Sequence, residues 1–460
     1  MRASFRDPDG SVGDDGKQIS RRVHAHAAAR TLELLDSPLF DELVRDGLLV
    51  GVLETQRQAD GGLILLHRRI ELPSYPFEWS PVMLADAARL TLEIQRRAWE
   101  QGWTLKDAAA GNVLFDGCRP IFCDLLSLRK REPSDEPGWV AYGQFVRHFA
   151  LPLLAVTELG RMPRDIFLSH RDGLRAAEIS AYIPWHAQFG LAIWLHLWLP
   201  ARLERRRIRQ DQRRGNVSRA GSADGTPWLL GNLLHFVDRL AGRCRGLSTW
   251  SEYTANREHY ENAELEAKRT AIQALTAEGR HRHVLDIGAN SGEFSLIAAR
   301  AGCQVLALDD DANALHDLYV EARRQALPVQ CLHANFAQPT PATGWQGSET
   351  LSLTQRFYGR FSLVLALAVV HHLTITERLP TQQLFEVLAD CCTDLLLLEF
   401  VSQKDPRFIE IAGQNLHLYA HWDLPFVLRC AAPWFNLEHS QQISEHRTLL
   451  HLRRRMNSSA

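Results

Sequence analysis

The stretch Val284-Leu285-Asp286-Ile287-Gly288-Ala289-Asn290-Ser291-Gly292-Glu293-Phe294-Ser295, followed by Gln304-Val305-Leu306-Ala307-Leu308-Asp309-Asp310-Asp311, decides the fold. His283 to Ile287 is a short apolar run, and from Gly292 to Arg300 the apolar residues Phe294, Ile297 and Ala298 recur at helical spacing. Between them lies a glycine-containing turn. Gly288 and Gly292 can take positive φ and have no Cβ, so backbone N–H groups can approach a ligand where the helix begins. Asn290 tolerates the left-handed region better than most residues that carry a side chain. The next apolar run, Val305 to Leu308, ends at Asp309, about twenty residues on, where a carboxylate can accept hydrogen bonds from two ribose hydroxyls. Strand, turn, helix and acid-ended strand together predict a nucleoside cofactor.

The turn reads D-x-G-x-N-x-G and lacks the dinucleotide fingerprint G-x-G-x-x-G. It resembles the first motif of class I S-adenosylmethionine-dependent methyltransferases, with the middle glycine replaced by Asn290. Further segments follow in that family's order. Val329 to His333 is a third strand, with Asn335-Phe336 after it. Phe361 to Leu367 is a fourth, followed by Ala368-Val369-Val370-His371-His372-Leu373, and Leu395 to Phe400 is a fifth. Asn436 to Gln442 and Arg447 to Leu452 form a closing hairpin that adds an antiparallel strand. The resemblance spans roughly Leu247 to Arg455. It implies a Rossmann-like α/β domain over 228–455, with its core from about 281 and a seven-stranded, mostly parallel sheet containing one antiparallel strand.

Composition sets outer limits. A chain of 460 residues has room for two or three domains. A net charge of −2 with 45% hydrophobic residues gives no general drive toward nucleic acid. Eight cysteines without a C-x-x-C pair fit a reduced, cytoplasmic protein. Cys118 and Cys123 have no nearby histidine pair, so no zinc site or other metal centre is expected. The longest apolar stretch, Phe189 to Leu199, is about half the roughly 20 residues of a membrane span and contains His196. A core helix is expected there, with peripheral membrane contact through Trp194, Trp198 and the arginines that follow as the alternative. Residues 1–20, rich in Asp, Gly and Ser, read as a disordered tail, as does the short tail 456–460. The segment 205–227 carries seven arginines without apolar periodicity and reads as a linker or surface loop.

The N-terminal half holds Leu105-Lys106-Asp107-Ala108-Ala109-Ala110-Gly111-Asn112, then Asp116-Gly117 and Ile121-Phe122-Cys123-Asp124. This resembles the catalytic loop and metal-binding segment of protein-kinase-like and aminoglycoside-phosphotransferase-like folds, which implies vestigial site positions at Asp107, Asn112 and Asp124. Before Asp107 the only lysines are Lys17 and Lys106. The expectation is therefore a mainly helical large-lobe domain over 21–204 with a reduced or missing small lobe, led by a helix from Pro81 to Gln101. Both halves together resemble bacterial class I methyltransferases related to nodulation-type proteins, with a kinase-like region ahead of the transferase. Ser74-Tyr75-Pro76-Phe77-Glu78-Trp79-Ser80, Trp250-Ser251-Glu252-Tyr253 and Leu398 to Pro406 also carry that likeness.

The resemblance implies S-adenosylmethionine as cofactor. Asp309 would hold the ribose and Asp310 would add negative charge. Gly288, Ala289, Asn290 and Gly292 would wrap the methionine part, with Asp286 organising the turn or facing the ammonium group. Asn335 and Phe336 would address adenine, and Ala366 at the end of the fourth strand belongs to the same set. Tyr253, Tyr260 and Lys268, ahead of the first strand, close over the cofactor or simply pack. His371, His372 and Glu399 are the catalytic candidates, since an oxygen acceptor needs a base whereas a neutral amine needs only its lone pair. Against this, a histidine after a strand often serves helix-start hydrogen bonding, and Glu399 can merely pair with a neighbour. No N/D-P-P-Y signature or Pro-Cys nucleophile is present, which turns the expectation from nucleic acid to a small molecule or saccharide. The competing readings are a phosphotransferase with an auxiliary methyltransferase domain, and a scaffold in which both folds have lost chemistry.

Overall fold

The computed structural model describes residues 2–4, 7–132, 135, 138–184, 190–202, 225–244, 259–277 and 279–455. The chain forms two compact units: 1–247 with 344–350, and 248–343 with 351–460. Of the arginine-rich segment 205–227, residues 205–224 lie outside the described residues, as do Tyr253 and the final residues 456–460, while Thr226 and Pro227 begin a helix. Among the described residues no helix is long and apolar enough to cross a membrane.

The first unit is α/β, not mainly helical. A five-stranded antiparallel sheet has the order β1-β2-β3-β5-β4, from β1 (Arg2–Ser4), β2 (Gly10–Asp14), β3 (Ile19–Val23), β4 (Glu54–Arg57) and β5 (Leu63–His67). Helices α1 (Ala25–Leu35) and α2 (Pro38–Arg45) lie between β3 and β4 in the chain. Two expectations are corrected here: much of the supposed tail 1–20 forms β2 and β3, and the unit carries a five-stranded sheet where a mainly helical domain is expected. The polar composition of Gly10–Asp14 hid the strand, because only Val12 carries an apolar side chain and register comes from pairing with β3.

Helix α3 (Pro81–Glu100) begins at a proline, whose missing N–H costs nothing in the first turn, and buries Leu84, Ala88, Leu92 and Trp99 as its spacing requires. The Ser74–Ser80 stretch is a buried turn: Trp79 Nε1 donates to Ser74 Oγ at 3.1 Å, and Tyr75 N donates to Glu78 Oε2 at 3.0 Å. After α3 come β6 (Trp103–Leu105), the hairpin of β7 (Val113–Asp116) and β8 (Arg119–Phe122), and β9 (Leu128–Lys130), which pairs with β6. The apolar stretch near Trp194 is helical, with His196 buried between Tyr142 Oη at 2.8 Å and Asn232 Oδ1 at 2.9 Å. Helix Thr226–Arg243, expected to open the transferase domain, belongs instead to this unit, where Arg89 on α3 pairs with Asp238 at 2.8 Å.

The second unit is built on a seven-stranded sheet of order β12-β11-β10-β13-β14-β16-β15. Its strands are β10 (His283–Ile287), β11 (Gln304–Asp309), β12 (Val329–His333), β13 (Phe361–Ala366), β14 (Cys392–Val401), β15 (Phe435–Gln442) and β16 (Arg447–Arg454). Within the unit this is 3-2-1-4-5-7-6, parallel from β12 to β14, with β16 antiparallel to both neighbours. That is the class I methyltransferase fold. The central strands are apolar almost throughout because both faces are covered, as in Leu395 to Leu398, all buried. The chain runs outward from β10 to β12, then returns to β13 on the other side of β10. The crevice outside the carboxyl ends of β10 and β13 is therefore the topological switch point at which open α/β sheets bind ligands.

Candidate functional site

At the end of β10 the chain enters the turn Gly288–Gly292 and then helix α5 (Glu293–Arg300), α4 being His259–Thr276. Gly288 has φ +73 and Gly292 φ +79, and Asn290 takes φ +50 in place of the expected middle glycine. A Cβ on Gly292 would stand 2.2 Å from Leu318 Cδ1, and one on Gly288 3.1 Å from Val369 Cγ2. The turn is thus pressed from both sides. Gly288 N and Ala289 N both donate to Leu308 O, at 2.9 and 3.1 Å, which locks the turn to β11.

Asp309 ends β11 and faces the same turn. Its Oδ2 accepts from Asn290 N at 2.7 Å and its Oδ1 from Asp311 N at 2.8 Å. A carboxylate has about four acceptor positions, so two remain for hydroxyl donors. Burial raises its proton affinity, and the charges of Asp311 and Asp310 add to that. Asp311 caps helix α6 (Ala312–Arg324) through Asn313 N and Ala314 N. Asp286, two residues before the turn, is buried and accepts from Ser295 Oγ at 2.6 Å. Burial, with the nearby Asp309 charge, pushes its carboxyl up to about 6. A buried carboxylate whose proton affinity is raised by a second carboxylate, at the switch point, fits a ligand bearing positive charge, as S-adenosylmethionine does at its sulfonium and ammonium.

The adenine candidates lie one strand further out. Asn335 Oδ1 accepts from Ala337 N and Gln338 N at 2.7 and 3.2 Å, while its Nδ2 donates to Asp310 Oδ2 at 3.1 Å and Glu377 Oε1 at 3.3 Å. Asn335 and Asp310 therefore shape this loop together, and half-buried Phe336 follows. On the other side, Ala366 ends β13, Ala368 takes φ +51, and Val369 leads into α7 (Val370–Ile375). Val369, against Gly288, was missed in the sequence. A valine in an apolar run carries no mark of which turn it will touch.

The catalytic candidates fare differently. Glu399 is fully buried on β14, with Lys268 Nζ of α4 2.7 Å from its Oε2 and Arg447 Nη1 of β16 3.2 Å from its Oε1. Arg447 Nε is also 2.8 Å from Asp405 Oδ2. Of the two readings of Glu399, orienting an acceptor or pairing with a neighbour, this geometry fits the second: its carboxylate is engaged by two cations and closed to solvent. It also gives Lys268 a place, binding α4 to the sheet. Tyr260 lies on the same helix, but its side chain is outside the described residues.

His371 is buried, and its Nδ1 has no hydrogen-bond partner among the described residues. Burial first, then the neighbouring His372 and Arg447, push its imidazole down to about 3. Burial also lowers His372, with Arg447 adding to the effect. Both are neutral at pH 7 and poor bases, but able to orient an acceptor by hydrogen bonding.

In the first unit, Asp107, Asn112 and Asp124 do come together. Asp107 Oδ1 accepts from Ala109 N at 2.9 Å, Cys123 N donates to Asn112 O at 2.7 Å, and burial with the charge of Asp124 raises the proton affinity of Asp107. Sequence reading did not anticipate Arg21 of β3, whose Nη1 lies 2.7 Å from Asp124 Oδ1. The partners are too far apart in the chain for any local pattern to pair them. Of the remaining features, all eight cysteines are free.

No protein-family model matches the chain. It is 29% identical over 415 residues to the nodulation protein NoeA of Rhizobium meliloti (strain 1021), a match spanning 87% of this chain and 85% of that protein. Among solved structures it is similar to WbdD, with 19% identity over 46% of this chain and 43% of WbdD, at a TM-score of 0.31. The N-methyltransferase NodS of Bradyrhizobium japonicum WM9 matches at 13% identity over 42% of this chain and 97% of its own, with a TM-score of 0.31. The magnesium protoporphyrin IX methyltransferase of Synechocystis PCC 6803, solved with bound S-adenosylhomocysteine, matches at 15% identity over 44% and 89%, with a TM-score of 0.32.

Proposed function

We propose that this chain is an S-adenosylmethionine-dependent methyltransferase acting on an oxygen or nitrogen of a small molecule or saccharide, and that its N-terminal unit, a kinase-like module, positions or regulates the acceptor. The observation that carries the reading is the cradle at the switch point: a turn that accepts no Cβ at Gly292, closed by Asp309 and backed by the uncompensated carboxylate of Asp286. The cofactor supplies an activated methyl group on sulfur, so the protein's task is to hold and orient. Asp309 would accept from the ribose hydroxyls, Phe336 would lie against the base, and the turn amides and Asp286 would face the amino-acid portion. His371 and His372, neutral where they stand, would direct the acceptor's lone pair and not remove a proton from it.

Calorimetric titration with S-adenosylmethionine tests the first step, with binding expected for the wild type and lost in Asp309→Ala. Incubation with cell extract should then yield S-adenosylhomocysteine and a product heavier by one methylene. If the folded wild-type protein takes up no S-adenosylmethionine, the proposal fails.

A further inference from the structure

In the first unit, oxygen donors converge around Asp124. Asp107 is close enough to Asp124 for the charge of one to raise the proton affinity of the other, the carbonyl of Cys123 shares Arg21 with Asp124, and the carbonyl of Asn112 accepts from Cys123 N at 2.7 Å. Carboxylates and carbonyls are the ligands a hard divalent cation takes. A cation already stands there, but it is a side chain. Arg21, on β3, places Nη1 2.7 Å from Asp124 Oδ1 and Nη2 2.7 Å from Cys123 O, and its side chain is only 10% exposed. The other oxygen of Asp124 accepts from Ser127 Oγ. The forked guanidinium thus bridges a carboxylate and a carbonyl with two parallel donors, which a lysine ammonium, acting as a point charge, would not reproduce.

The neighbouring charges are closed in the same way. Asp9, in the turn leading into β2, is buried and engaged by both Lys106 and Arg30. Lys106, beside Asp107 in the chain, is therefore turned to a carboxylate. We infer that Arg21 is a resident cation that takes the place of a divalent metal at Asp124 and Cys123, so that the folded N-terminal unit excludes the metal from this position. An entering ion would have to expel the guanidinium and leave it nine-tenths buried without its carboxylate, a costly uncompensated charge. The inference concerns this unit alone and does not depend on methyl transfer.

The test uses Mn2+ and the full chain, with bound metal read from the loss of the free-ion electron paramagnetic resonance signal. The wild type is expected to bind no Mn2+ that Asp124→Asn removes. Arg21→Ala should gain one Mn2+ per chain, and Arg21→Ala/Asp124→Asn should lose it again. Wild-type binding abolished by Asp124→Asn would overturn the inference, as would a folded Arg21→Ala that gains none. Should Arg21→Ala be too unstable to titrate, Arg21→Gln is melted with and without Mn2+. A rise in Tm supports exchange of ion for guanidinium, and no rise overturns it.

Discussion

Asp286 gives the sharpest test of the cofactor site because its environment makes opposite demands on stability and on binding. Its carboxyl is pushed from 3.8 to about 6 by burial and by Asp309. A raised carboxyl binds its proton more tightly in the folded than in the unfolded chain, so its contribution to stability is full below pH 3.8 and is lost as pH rises through about 6. At about 1.4 kcal/mol per unit, the shift corresponds to about 3 kcal/mol. Asp286→Asn keeps an oxygen for Ser295 Oγ and removes the titration. Whatever constant offset the amide introduces, the stability of the variant relative to wild type should rise by about 2.5 kcal/mol between pH 4 and pH 7, most of the full shift. The assay is calorimetric melting across that range, following the transition that S-adenosylmethionine shifts, so that the second unit is the one observed. A positively charged ligand should lower the Asp286 pKa and flatten the wild-type curve, whereas Asp286→Asn should bind the ligand more weakly at pH 7. A difference between the two proteins that stays constant with pH would refute the reasoning.

Gly292→Ala should destabilise the second unit by about 2–5 kcal/mol, combining a left-handed backbone with a collision against buried Leu318. Gly302→Ala, also at positive φ but with nothing near its Cβ, should cost only about 1–2 kcal/mol in chemical denaturation. Lys268→Met, which leaves the buried Glu399 carboxylate with Arg447 alone, should lose about 3–5 kcal/mol, and Lys268→Met/Glu399→Leu should recover part of it in a double-mutant cycle. His371, depressed to about 3 from 6.5, contributes stability that is present above pH 6.5 and lost as pH falls toward 3. His371→Gln should make acid unfolding over that window shallower, as read by far-ultraviolet circular dichroism.

How much could be read from the sequence depended on how local each cause was. The strands from β10 to β16 were legible because apolar runs, glycine at a turn and an acid at a strand end are short-range signals with direct physical meaning. The turn even revealed its departure, since asparagine is among the few side chains suited to φ +50. The ion pairs were not legible. Nothing in the pattern around Glu399 tells of Lys268 or Arg447, and nothing around Asp124 tells of Arg21, because packing of distant segments chooses such partners. The N-terminal strands were mistaken for a tail because pairing, not composition, makes them. Helix Thr226–Arg243 falls in the first unit, and a domain boundary drawn at the end of a polar arginine-rich run carries no information about which unit the next helix packs on.

The clasp on Glu399 also sets an order of events during synthesis. Lys268 precedes the first strand of the second unit and Arg447 opens its last, yet both close on one carboxylate in the fifth. Until Arg447 leaves the ribosome, Glu399 and Asp405 lack their shared arginine, and β14 has no β16 beside it. The second unit therefore covers that strand edge only once its final strand has been made, so the sheet and the clasp on Glu399 are completed in the same step.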